Sequence, residues 1–163
     1  MNNNKVIIID DFFDKYCLKN LQEKVDLGKF ENQWFNMDKP ETYTCNIVNT
    51  GADHFPIAGI EGYEVWTHKN SRPSSDEHFD WHYDKDEYRY SLNQVLRFPL
   101  FSAVFYVEAQ CFGGQLRLES GVEIEPKQNR LVLFQAGLKH RVQKFKGRRI
   151  SLNINPWNRK LER

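Results

Sequence analysis

From residue 101 onward the chain breaks into short β-rich segments separated by turn residues, and this pattern restricts its possible folds more than any other feature. "FSAVFYVEA" (101–109) comes first. In "GGQLRLES" (113–120), Gln115, Arg117 and Glu119 alternate with Leu116 and Leu118, so one face is apolar and the other polar. "VEIEP", "NRLVLFQA" (129–136), "HRVQKF" (140–145) and "RRISLNINPW" (148–157) follow. Short strands with turns between them predict a mainly β sandwich or barrel.

The first half of the chain is more mixed. "KVIII" (5–9) reads as a short buried strand. Cys17 or Leu18, then Leu21 and Val25, recur at helical spacing behind Asp14, a good N-cap, so a helix is predicted over about 14–26, with Gly28 ending it. "TYTCNIV" (42–48) is rich in β-formers, and "NTGADHFPIAGIEG" after it reads as loop. "GYEVWTH" (62–68) alternates like a strand, and "KNSRPSSDE" (69–77) reads as a loop. No repeat, low-complexity tract or linker is visible. With 163 residues, one domain covering 1–163 is expected.

Composition narrows the class. The net charge of +1 gives no global electrostatic reason to expect a nucleic-acid partner. Cys17, Cys45 and Cys111 are odd in number and lack a CxxC spacing, which argues against a disulfide framework or a cysteine zinc site. No apolar run approaches the length of a membrane span or a signal peptide's core. A cytoplasmic protein with three reduced thiols is expected.

The chemistry concentrates in "HFDWHYDKDE" (78–87). On an extended segment, His82 and Asp84 point to one side, where an imidazole and a carboxylate can share a metal ion. His140, at the head of a later β segment, supplies a third ligand. Two histidines and one aspartate form the facial triad suited to non-haem Fe(II), with positions left open. His78 is a possible competitor; His54 and His68 lack a carboxylate at useful spacing. Nine residues after His140, Arg149 shares a strand face with Ser151, and its planar guanidinium suits a carboxylate.

His82-Tyr83-Asp84, the downstream His140 and Arg149 resemble the Fe(II)/2-oxoglutarate-dependent dioxygenases, and more closely their prolyl-hydroxylase-like branch. The resemblance spans about residues 78–157. It implies a double-stranded β-helix of the jelly-roll or cupin-like type, preceded here by the N-terminal helix. It also implies that His82, Asp84 and His140 bind Fe(II) and that Arg149 pairs with the distal carboxylate of 2-oxoglutarate. Tyr106 matches a position whose phenol bonds that carboxylate, Ser151 completes an Arg-x-Ser pattern, and Leu116 matches an apolar residue lining the cosubstrate pocket. The implied reaction consumes 2-oxoglutarate and O2, releases succinate and CO2, and hydroxylates a prolyl residue, another amino acid or peptide, or a small molecule.

The segments "NSRPSSDEHFDW" and "DKDEYRYSLNQVLRF" are expected to form the rim, made acidic by Asp76, Glu77, Asp80, Asp86 and Glu87. Two other readings stand beside this one. The alkylation-repair branch, which demethylates nucleic acid, carries a second arginine six residues after the first, where this chain has Asn155. A cupin-like protein would bind a metal or ligand without turnover.

Overall fold

The computed structural model describes residues 4–69 and 80–162. The β-rich segments pair as two antiparallel sheets. The larger contains β1 (Val6–Ile9), β2 (Gln33–Asn36), β3 (Gly62–Lys69), β4 (Phe101–Gly113), β7 (Leu131–Gln135) and β9 (Phe145–Trp157), in the order β1-β7-β4-β9-β3-β2. The smaller contains β5 (Leu116–Leu118), β6 (Glu123–Ile124) and β8 (His140–Val142), in the order β6-β5-β8. This mainly β arrangement of two sheets agrees with the expected fold class. The segments 113–120 and 122–126 contribute shorter strands than their alternation suggests, because Gly114 and Gly121 have positive φ and bend the chain at their ends.

Strand alternation divides the apolar residues between two cores. Phe101, Ala103, Phe105 and Val107 of β4 join Leu152 and Ile154 of β9 beneath the helices. Val104 and Tyr106, on the other face of β4, pack with Leu116, Leu118 and Ile124 of the small sheet. The pairing of β4 with β9 shifts register once. Tyr106 lies opposite Ser151, whereas Glu108 lies opposite Ile150 and Ala109 opposite Arg149, so Val107 is an extra residue.

Helix α1 (Lys15–Asp26) matches the sequence expectation. Asp14 caps it by accepting from Cys17 N at 2.8 Å, and Leu21 and Val25 are buried. The segment 42–48 is instead the first half of helix α2 (Thr42–His54), which also takes up much of the expected loop and contains Cys45. Its buried residues, Thr44, Ile47, Val48 and Gly51, fall on one helical stripe. A Cβ on Gly51 would stand 2.1 Å from Phe101 Cζ, so the helix lies directly on β4. The strand β1 is an edge strand and only half-buried, with Ile8 47% exposed. The strand β2 and the short helix α3 (Glu87–Asn93) were not anticipated. Of the expected loop 69–77, residues 70–77 lie outside the described residues. Among the described residues, no helix is long and apolar enough to cross a membrane.

Tyr63 ties α2 to β3. It is fully buried, and its hydroxyl accepts from Glu41 N at 3.1 Å and lies 3.0 Å from Thr44 Oγ1. Burial pushes the phenol up to about 12, although the hydrogen bonds from Thr44 and Glu41 oppose this. An unfolded tyrosine ionises near pH 10, so between the two values the unfolded chain releases a proton that the folded chain retains. This contribution to stability is complete below pH ~10 and is lost as pH rises through the folded value, a total on the order of 2–3 kcal/mol. In urea titrations across this range, Tyr63→Phe should flatten the alkaline decline. An unchanged decline would place the titration elsewhere.

Candidate active site

The two histidines meet across a bridge between strands. His82 N donates to His140 O and His140 N to His82 O, both at 3.0 Å, which sets the imidazoles side by side with ring centres 4.3 Å apart. Asp84, two residues further on in a stretch without regular secondary structure, returns to the same side. Its Oδ1 lies 3.4 Å from His140 Nε2 and 3.9 Å from His82 Nε2. One donor atom from each of the three residues falls within 4.8 Å of the others.

The surroundings hold these donors in place. His82 Nδ1 is 2.7 Å from Asp80 O and His140 Nδ1 is 3.0 Å from Leu138 O. A carbonyl can only accept, so each Nδ1 carries a proton and each ring turns its Nε2 to the common point. The other carboxylate oxygen, Asp84 Oδ2, accepts from Ser102 Oγ at 2.7 Å. Asn155, its amide turned to satisfy both neighbours, donates from Nδ2 to Asp84 Oδ2 and Ile154 O, each at 3.2 Å. Burial disfavours the Asp84 anion, but the charge and hydrogen bond of His140 and the Ser102 hydroxyl prevail and hold its carboxyl at about 2. Burial would also lower His140, but Asp84 beside it raises it; His82 is lowered by burial and by its neighbour His140. Two imidazoles, which release any Nε2 proton on binding a metal, and one anionic oxygen suit divalent iron.

Behind the triad a cavity of about 300 Å³ opens between the sheets, and Arg149 lines it along with His82, Asp84, Leu116, His140 and Ser151. Arg149 is 2% exposed. Its guanidinium donates to Gly114 O at 3.2 Å, Ser151 Oγ at 3.4 Å and Tyr106 Oη at 3.5 Å. All three acceptors are neutral, so among the described residues this buried cation has no carboxylate partner. Burial pushes the Tyr106 phenol up, with Arg149 opposing, so Tyr106 remains a neutral hydroxyl donor. Tyr106 is itself fully buried in the second core and reaches the site through its hydroxyl. Gly114 does more than turn the chain, since a Cβ there would lie 3.0 Å from Arg149 Cδ.

Of the residues singled out in the sequence, His82, Asp84, Leu116, His140, Arg149 and Ser151 line this cavity, and Tyr106 lies behind it in contact with Arg149. The acidic rim needs correction. Asp86 is buried at 4% exposure, where it caps α3 by accepting from Arg89 N at 3.0 Å. Glu87 does line the cavity, paired with Lys85 at 2.8 Å, and Asp80 is exposed; Asp76, Glu77 and His78 lie outside the described residues. Ser102 and Asn155 were missed. Neither sits near Asp84 in the chain, and only the pairing of β4 with β9 brings them to it.

The sequence profile of the 2OG-Fe(II) oxygenase superfamily matches residues 67–157. No curated protein sequence matches the chain. Among solved structures, a Pseudomonas putida prolyl-4-hydroxylase is similar at 19% identity and a TM-score of 0.65, covering 97% of this chain and 90% of that one. A viral collagen prolyl hydroxylase from Paramecium Bursaria Chlorella virus-1, in its 2OG complex, is 16% identical with a TM-score of 0.62, covering 98% of both chains. A Trichoplax adhaerens prolyl hydroxylase, in complex with a hypoxia inducible factor oxygen degradation domain peptide fragment, is 17% identical with a TM-score of 0.57, covering 96% of this chain and 85% of that one. These structures share the fold. The profile match covers more than half of the chain, which belongs to the 2OG-Fe(II) oxygenase superfamily. It is an oxygenase that uses Fe(II) and 2-oxoglutarate.

Proposed function

We propose that this chain hydroxylates a prolyl or other amino-acid residue within a peptide, with His82, Asp84 and His140 holding Fe(II) and Arg149 holding 2-oxoglutarate. The observation that carries the reading is a buried guanidinium without an acid partner among the described residues, facing the same cavity as a His-Asp-His cluster. Arg149 meets the distal carboxylate through its fork, helped by the Tyr106 and Ser151 hydroxyls. Leu116, Val104 and Val142 form an apolar wall that limits water around the bound acid. The Nδ1 contacts of His82 and His140 fix both rings before any metal arrives. Fe(II), when bound, supplies the O2 chemistry that couples decarboxylation of 2-oxoglutarate to hydroxylation of the substrate.

A peptide substrate is favoured by the similar structures, one a collagen prolyl hydroxylase and one holding a peptide fragment. Residues 1–163 are read as one oxygenase domain, and the three free cysteines accord with a cytoplasmic setting. The test is succinate release from 2-oxoglutarate under air by iron-loaded protein, with proline-containing peptides, matched proline-free peptides and free amino acids. Stimulation by the proline peptides, with a mass gain of one oxygen, is expected. Stimulation by free amino acids alone would overturn the peptide assignment.

A further inference from the structure

We propose that Ser102 and Asn155 form a clamp that makes Asp84 a one-oxygen metal ligand and thereby keeps a coordination position free for the cosubstrate and O2; this rests on the assignment of His82, Asp84 and His140 as the ligands. A carboxylate can bind a metal through one oxygen or through both. Here the two oxygens of Asp84 have different surroundings. Oδ1 faces His140 Nε2 and His82 Nε2. Oδ2 accepts from Ser102 Oγ at 2.7 Å and from Asn155 Nδ2 at 3.2 Å. The clamp is built into the large sheet. Ser102 and Asn155 lie one step beyond the Ala103–Ile154 pair in the antiparallel register of β4 and β9, and each is 2% exposed.

Turning Oδ2 toward a metal would break both bonds and leave a buried hydroxyl and a buried amide without their acceptor, which is unfavourable. The amide is held from behind as well, because its other hydrogen is committed to Ile154 O at 3.2 Å. Three open positions are needed at such a centre, two for the chelating 2-oxo acid and one for O2. A carboxylate bound through both oxygens would occupy one of them. Ser102 and Asn155 are thus positioning residues, acting on the metal through Asp84.

The experiment uses Co(II), whose visible absorption bands report coordination number, with the wild type, Ser102→Ala, Asn155→Leu, the double variant and Ser102→Thr. Co(II) affinity, the absorption spectrum, 2-oxoglutarate affinity of the Co(II) form and the melting temperature of the metal-free protein are measured for each. Ser102→Ala should weaken Co(II) binding by about 10–100-fold and alter the bands, as expected for loss of an outer-shell partner. Asn155→Leu, which loses the longer bond, should do less. The double variant should depart from additivity because both donors serve one oxygen. Ser102→Thr, which keeps the hydroxyl, should restore affinity and bands. Wild-type affinity and spectrum in both single variants, with normal binding by the wild type, would overturn the clamp alone. A loss in Ser102→Ala that Ser102→Thr does not restore would overturn it as well. A wild type that binds no Co(II) would overturn the ligand assignment and the clamp together.

Discussion

Arg149→Gln should weaken 2-oxoglutarate binding by roughly 30-fold to several-thousand-fold and leave metal content unchanged. The guanidinium is 2% exposed, and its hydrogen-bond acceptors are a backbone carbonyl and two hydroxyls. An incoming carboxylate therefore completes a buried ion pair whose cationic half is already in place. Removing one member of such a pair costs about 2–5 kcal/mol, and each ~1.4 kcal/mol is tenfold in affinity. Arg148→Gln is the control. Arg148 is exposed on the other side of β9 and pairs with Glu108, an interaction at the surface that contributes little. Titration of 2-oxoglutarate into protein loaded with Mn(II) or Zn(II) separates the two. Equal, small effects from both substitutions would remove Arg149 from the cosubstrate site.

The second large effect is expected at Asp84. It supplies the single negative charge of the triad, and its side chain is 11% exposed. Asp84→Ala leaves two neutral imidazoles facing a dication in this cavity. Loss of an outer-shell partner typically costs about 10–100-fold in metal affinity, so loss of the ligand itself should exceed the upper end of that range. Metal content after dialysis against a fixed free Fe(II) concentration, and Mn(II) titration of the metal-free variant, both report on this. Full occupancy in Asp84→Ala would sink the assignment.

Much of this site was legible because β geometry converts spacing into direction. The HxD pair turns both side chains to one point, and Arg149 and Ser151 lie on one side of a strand. Both inferences need only alternation, and the structure agrees with both. What required tertiary pairing could not be read in the same way. In the sequence Asn155 stands out only as the absence of a second arginine. Its contact with Asp84 exists because β9 folds back beside β4. Helix α2 was misread for a different reason. Thr42, Tyr43, Thr44, Ile47 and Val48 all favour strands individually, and Glu41 is not among the preferred N-caps, although it accepts from Thr44 N at 2.8 Å. The 44/47/48/51 stripe held the correct signal, and burial against β4 outweighed local propensity.

The extra residue at Val107 decides which acid Arg149 can meet. With unbroken pairing from Tyr106–Ser151, the next cross-strand partners would be Val107 with Ile150 and Glu108 with Arg149. The chain's own glutamate would then stand beside the buried guanidinium as a tethered competitor at high effective concentration. The shift instead places Ala109 opposite Arg149 and sends Glu108 to the far side of the sheet, where it neutralises Arg148. One inserted residue thus separates two adjacent arginines by role. Arg148 is quenched from within the chain, and Arg149 is kept in reserve for an acid from outside.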